Sequence, residues 1–373
     1  MPIRVLLLTM ILIPVADSAA AFPIPAIDTL PEGLPCPRAE SAPVIDGHLV
    51  DGAWARAPWT PDFVDITGDA GLVPRLRTRA KLLWDDDYLY VGAELAEPHV
   101  WASLTTRDAV IYHDNDFEVF IDPDGDNHLY CELEINALNT VWDLLLVRPY
   151  RDGGPAVDAW DITGLRTAVH VDGTLNDPTD RDRGWSVEIA LPWDVLAEPA
   201  GRPTPPAVGD IWRINFSRVQ WRTRIEGEHY VKITDDATGR PLPEDNWVWS
   251  PQGLVAMHCP ERWGKVVFVT DAGADPFVGN AEHDAILVAG ALMPLYYRQR
   301  EFREEHGRFA ADLAELGLAQ GELPLREPGR VARLAANWRL ELTGDREGFR
   351  ARLSTPQVIV TVDGDGRLQR FSP

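Results

Sequence analysis

The feature that most constrains this chain is a series of short segments in which apolar and polar residues alternate. Asp116-Phe117-Glu118-Val119-Phe120-Ile121 and Tyr130-Cys131-Glu132-Leu133-Glu134-Ile135-Asn136 alternate in this way. So do Trp185-Ser186-Val187-Glu188-Ile189 and Ile211-Trp212-Arg213-Ile214-Asn215-Phe216. Side chains two apart on a strand share a face, so each segment reads as a strand with one apolar side. Residues 79–84 and 88–91 flank Asp85-Asp86-Asp87, a polar hairpin tip. Residues 263–269 close the series, and proline and glycine clusters at 199–209 and 241–243 punctuate it. This pattern predicts a mainly β fold, an antiparallel β-sandwich of the jelly-roll type.

Beyond about Gly279 the pattern changes. Residues 281–300 read as a helix kinked at Pro294, and 309–316 as a second short helix. Strands are expected at 338–342, 349–353 and 358–362, with a turn at Asp363-Gly364-Asp365-Gly366. Residues 280–373 are therefore predicted to form a small C-terminal α+β domain. At the other end, Arg4, the apolar run 5–15 and Ser18-Ala19-Ala20-Ala21 have the three-part pattern of a secretory signal over 1–21. The run is too short to span a bilayer stably. The expectation is a secreted or periplasmic protein with no transmembrane span after signal removal. Residues 22–43 read as a proline-rich linker, and 44–270 as the sandwich domain. Asp51 is expected to cap a short helix carrying Trp54.

The net charge of -23 excludes a nucleic-acid partner, which needs a basic surface, and favours neutral or cationic ones. Of three cysteines, Cys131 falls in a core strand, which leaves Cys36 and Cys259 as a candidate disulfide in an exported protein. Glu118, Glu132, Glu134 and Asn136 share the polar sides of their strands with Asp116. Such a side is either a sugar cleft curved by strand twist or a solvated outer face.

Four blocks, in order, resemble carbohydrate-binding module family 9. They are Val44-Ile45-Asp46-Gly47-His48-Leu49-Val50-Asp51-Gly52-Ala53-Trp54, Asp116 to Pro123, Gly184 to Trp193, and Gly209 to Phe216. The resemblance covers residues 44–270 and not the tail. It implies a jelly-roll sandwich, related to the DOMON type, that binds a glycan between tryptophan rings without cleaving it and often carries structural calcium. No hydrolase domain accompanies these blocks.

Sugars offer apolar C–H faces to aromatic rings and hydroxyls to charged or amide groups. Tryptophans in polar, loop-like surroundings are therefore the candidates. Asn246, Trp247 and Trp249 lead, with Asn246 and Trp249 similar to the family's late asparagine–tryptophan pair. Trp142 with Arg148, Trp160, and Trp101 with Arg107 follow, whereas Trp54, Trp84, Trp185 and Trp212 read as core. Asp122, Asp124 and Asp126 alternate as hard oxygen ligands for calcium do, although a tight Asp- and Gly-rich turn explains the same residues. Paired carboxylates two apart on a strand, Asp116 with Glu118 or Glu132 with Glu134, leave a glycoside hydrolase as the alternative. Adjacent Met257 and His258 cannot ligate both sides of a haem, and no nucleotide-binding loop occurs. The remaining alternative is a cell-envelope interaction protein whose tail docks a partner.

Overall fold

The computed structural model describes residues 22–26, 29–273, 275–325 and 330–373, so the export signal expected over 1–21 lies outside the described residues. The sandwich strands are β1 (Gly33–Pro37), β2 (Val64–Asp65), β3 (Thr78–Trp84), β4 (Tyr88–Ala96), β5 (Asp116–Asp122), β6 (Tyr130–Asn136), β7 (Val141–Leu146) and β8 (Ala156–Val157). They continue with β9 (Arg166–Asp172), β10 (Gly184–Pro192), β11 (Ile211–Gln220), β12 (Thr223–Glu226), β13 (His229–Lys232), β14 (Asp245–Val248) and β15 (Gly264–Val269). The larger sheet runs β1-β15-β11-β5-β6-β7-β8, with β14 pairing both β11 and β2. The smaller runs β3-β4-β10-β9, and β12 and β13 form a separate hairpin. All these pairings are antiparallel except β1 against β15.

The apolar sides of the alternating strands meet between the sheets. Phe117, Val119 and Ile121 of β5 and Trp212, Ile214 and Phe216 of β11 pack against Leu82, Val91, Trp185 and Val187 of the facing sheet. Trp54, Trp84, Trp185 and Trp212 are all buried, as their positions require. Two expectations for the N-terminal segment fail. Residues 22–43 are not a free linker, because β1 completes the sheet edge and Phe22 packs edge-on to Tyr296 of the tail. The short 3-10 helix at Gly52–Arg56 carries Trp54, but Asp51 accepts from the Val44 amide instead of capping it. Cys36, Cys131 and Cys259 are all buried free thiols, so the expected Cys36–Cys259 bond is absent. Cys36 belongs to the intersheet core, whereas Cys259 faces the Arg151 guanidinium.

The tail is an α+β unit. Helices α1 (Trp193–Ala200) of the sandwich and α2 (Ala281–Gly290) and α3 (Met293–His306) of the tail precede strands β16 (Glu322–Pro324), β17 (Val331–Arg333), β18 (Arg339–Gly344), β19 (Phe349–Ser354), β20 (Ile359–Asp363) and β21 (Leu368–Phe371). β18 to β21 form an antiparallel sheet in sequence order. The helix expected over 281–300 is two helices. Pro294 lies in the first turn of α3, where a missing N–H costs nothing, and does not kink a continuous helix. Residues 309–316 form turns, not a helix, with Gln299 bonding both the amide and the carbonyl of Ala310.

The two units are joined by buried charge. Arg151 donates two parallel bonds of 2.8 Å to the Glu261 carboxylate, which also accepts from the Tyr297 hydroxyl. Tyr296 donates to Asp152, and Arg300 approaches the same carboxylate to 3.3 Å. Burial opposes the charge on Glu261, but the guanidinium and these hydrogen bonds prevail and lower its pKa to about 2. Removing one partner of such a pair strands the other in a low-dielectric site. Arg151→Ala is therefore expected to lower unfolding free energy by about 3–5 kcal/mol. Arg183→Ala, which breaks the exposed pair with Asp172, should change it little. Urea denaturation of the two variants measures the difference.

Candidate functional site

The pairing register builds the site. Ser217 of β11 lies opposite Glu118 of β5, Glu118 opposite Glu134 of β6, and Glu134 opposite Trp142 of β7. Two residues along each strand, Asn215, Phe120, Glu132 and Leu144 form a second row on the same side. This is the polar side of the alternating strands, turned away from the intersheet core. It is not a solvated face: Asp116, Glu118, Glu132 and Glu134 are 0%, 5%, 5% and 1% exposed. Residues 250–263 fold over one end of it, where Met257 and Trp263 join Phe120 and Tyr130 in a small apolar cluster.

Between that cover and the sheet a cavity of about 380 Å³ remains. Glu118, Glu132 and Glu134 reach it from the sheet, and Glu244 and Asn246 from the β14 side. Its aromatic walls are Trp142 beside Tyr112, with ring centroids 6.4 Å apart and planes at 34°, and Tyr150 against His258 at 4.5 Å. Tyr112 and Tyr150 are partly exposed, so the cavity opens to solvent. The Tyr112 amide donates to Glu134, and the Tyr130 hydroxyl contacts His258 Nδ1 at 2.9 Å.

The electrostatics follow from burial. Desolvation first, then the neighbouring carboxylates, pushes Asp116, Glu132 and Glu134 well up. Glu118 is pushed up to about 7, by burial first and by the charge of Glu244 as well. His258 goes down to about 4, through burial and then Arg151, and is neutral at physiological pH.

Of the residues expected to bind, only Trp142 and Asn246 line this cavity. Trp247 and Trp249 do not: they occupy odd positions whose side chains enter the intersheet core, at 3% and 2% exposure, while Asn246 points the other way. Asn246 and Trp249 therefore cannot converge on one ligand. Trp249 seats so closely that a Cβ on Gly264 would fall 2.4 Å from its ring. Trp101 is buried with Val219 and Trp221. Trp160 packs against the core edge and donates to Glu198. Arg148 bonds the Gly154 carbonyl and Asp365 of the tail. Arg107 holds Asp143 and Asp161 beside a separate shallow cleft. Tyr112, Glu244 and His258 are site residues that alternation could not reveal, because they lie outside the regular strands.

The Asp122, Asp124 and Asp126 carboxylates each place an oxygen within 4.8 Å of the others. Asp122 accepts from the Gly125 and Asn127 amides, and Asp126 from the His128 amide and Arg367. Arg213 approaches Asp122 to 3.9 Å, and Arg370 donates to the Asp124 carbonyl. Cationic side chains and backbone amides thus already occupy these oxygens, a poor fit to a calcium shell of free oxygen ligands. The loop is a self-capped turn on which the tail docks.

The raised carboxyls have a consequence for stability. A group whose folded pKa lies above its unfolded value contributes stability fully present below the unfolded pKa and lost as pH rises through the folded one. For Glu118 the window runs from the ordinary 4.5 to about 7, at about 1.4 kcal/mol per unit of separation. His258, lowered from 6.5 to about 4, acts in the opposite sense but is one group against several. The melting temperature is therefore expected to rise as pH falls from neutrality toward 5. Glu118→Gln should flatten that slope in a thermal-melt series.

The profile of the family described as carbohydrate family 9 binding domain-like matches residues 45–209. Endo-1,4-beta-xylanase C of Paenibacillus barcinonensis is 36% identical over 80 residues, 21% of this chain and 6% of that protein. The exoglucanase XynX of Acetivibrio thermocellus is 26% identical over 151 residues, 40% of this chain and 12% of that protein. The chain thus spans a small part of these curated relatives. A family 9 module from Caldicellulosiruptor kristjanssonii, solved with cellotriose, is 18% identical with a TM-score of 0.41 over 65% of this chain and 98% of that one. The glucose complex of such a module from the same organism gives 18% and 0.42, over 65% and 99%. Residues 45–209 of this chain are a carbohydrate family 9 binding domain-like domain.

Proposed function

We propose that the cavity on the outer side of the larger sheet binds a carbohydrate without cleaving it. The observation that carries this reading is Trp142, half-buried at the mouth and in register beside Glu134. It sets an apolar platform next to hydrogen-bonding groups, the pairing that a sugar's C–H face and hydroxyl rim require. Asn246 and Glu244 supply polar groups from the opposite wall. The family of residues 45–209 supports the same ligand class. The xylanase and exoglucanase relatives share only a small segment with this chain, which supports binding over hydrolysis. Action outside the cytoplasm is the location that the export pattern of residues 1–21 supports.

A glycan array with residues 22–373, followed by titration of the best binder, tests the reading. Trp142→Ala is expected to weaken binding about tenfold, or ~1.4 kcal/mol. Trp249→Ala should instead cost about 3–5 kcal/mol of stability through the cavity it leaves. No reducing ends should appear on incubation with the bound polysaccharide. Folded protein that binds no glycan would sink the proposal, and release of reducing ends would favour the hydrolase.

A further inference from the structure

The cavity gathers acidic groups that no basic side chain among the described residues pairs. Asp116, Glu118 and Glu134 each place an oxygen within 4.8 Å of the others, and Glu132 stands next along β6. Like charges directly opposite on paired strands, as Glu118 and Glu134 are, destabilise a sheet. One oxygen of Asp116 accepts from the Val219 amide. The other, Oδ2, is fully buried and has no hydrogen-bond partner.

The cations around the cluster are committed elsewhere. Arg218 donates to Glu97, Thr78, Gln220 and the Ala96 carbonyl. Arg75 and Arg222 hold Asp245, and Arg151 holds Glu261. Lys232 lies 3.3 Å over the Trp221 ring. His258 Nε2 is 3.9 Å from Glu132, but the ring is neutral at physiological pH. The walls, meanwhile, are π faces and edges: Tyr112, Trp142, Tyr150 and Phe120. Rings and carboxylates together are the surroundings that an organic ammonium prefers, through cation–π attraction and charge-assisted hydrogen bonds. A bare metal ion wants a shell of oxygens and gains nothing from the rings.

We propose that this cavity selects an amino sugar. A hexosamine unit lies with its ring against Trp142, and its protonated amine is held between Glu118 and Glu134. This specificity rests on the carbohydrate reading above. It also disfavours uronic and sulfated glycans, whose charge the same carboxylates repel.

Three β-1,4-linked tetramers that differ at C2 provide the test: glucosamine, N-acetylglucosamine and glucose. They are titrated at neutral pH by tryptophan fluorescence and calorimetry. The glucosamine tetramer is expected to bind at least about tenfold more tightly than the other two, as one charge-assisted contact implies. Added salt should erode that margin and leave the neutral tetramers unaffected. On the Glu118→Gln, Glu134→Gln double variant, checked for folding by near-ultraviolet circular dichroism, the three affinities should converge. If glucose or N-acetylglucosamine tetramers bind the wild-type protein as tightly as glucosamine, the amine preference is wrong and sugar binding stands. If no glycan on the array binds, the carbohydrate reading falls and takes this one with it. If calcium alone raises the melting temperature of the wild type but not of the double variant, the carboxylates form a metal site and the proposal is overturned.

Discussion

Strands β5 and β6 are buried on both sides, and much of the molecule is arranged around that fact. Their odd-numbered residues fill the core between the sheets, while their even-numbered residues are covered by 250–263 and by the loops after β7. A strand that presents carboxylates to water needs no further explanation. A strand that presents them to a covered cavity places ionisable groups where their charge is expensive. Register enforces this placement. A slip of one residue would turn Phe117, Val119 and Ile121 outward and lose the core, so the carboxyls are held on the cavity side by the apolar residues between them.

Charge is handled differently where the tail meets the sandwich. There three buried acids have an arginine or tyrosine: Glu261 has Arg151 and Tyr297, Asp152 has Tyr296 and Arg300, and Asp126 has Arg367. The Asp122–Asp126 loop, whose spacing resembles a cation loop, serves this junction, with Asn127 donating to the Gly366 carbonyl of the tail. The same protein thus gives these junction acids cationic or hydroxyl partners and gives the cavity acids none. Imbalance of that kind is characteristic of functional sites.

Strand alternation makes the sandwich legible in the sequence, and it also shows which side of β5 and β6 carries the carboxyl groups. The same rule, applied to β14, separates Asn246 from Trp247 and Trp249. Reading Asp245 to Ser250 as a loop hid that parity and promoted two core tryptophans to binding residues. The cover over the polar side was not legible. Residues 250–263 have no period, and the Tyr150–His258 contact that forms a wall joins positions 108 apart by a path that no local pattern encodes. Likewise, Pro294 reads as a kink or as a helix start depending on whether the break precedes it, and packing decides that.

Stability and recognition therefore draw on the same four carboxyl groups in opposite directions. Protonation of these groups relieves desolvation and mutual repulsion, which is why burial raises the pKa of each. A ligand that brings hydrogen-bond donors or positive charge favours the ionised forms, so binding and proton release become linked. In the proposed complex, a carbohydrate rich in donors returns to Glu118 and Glu134 what the fold withholds, while the rings of Trp142 and Tyr112 take its apolar face. An uncharged lining of equal shape would make a more stable sheet, but it would have nothing with which to tell one sugar substituent from another.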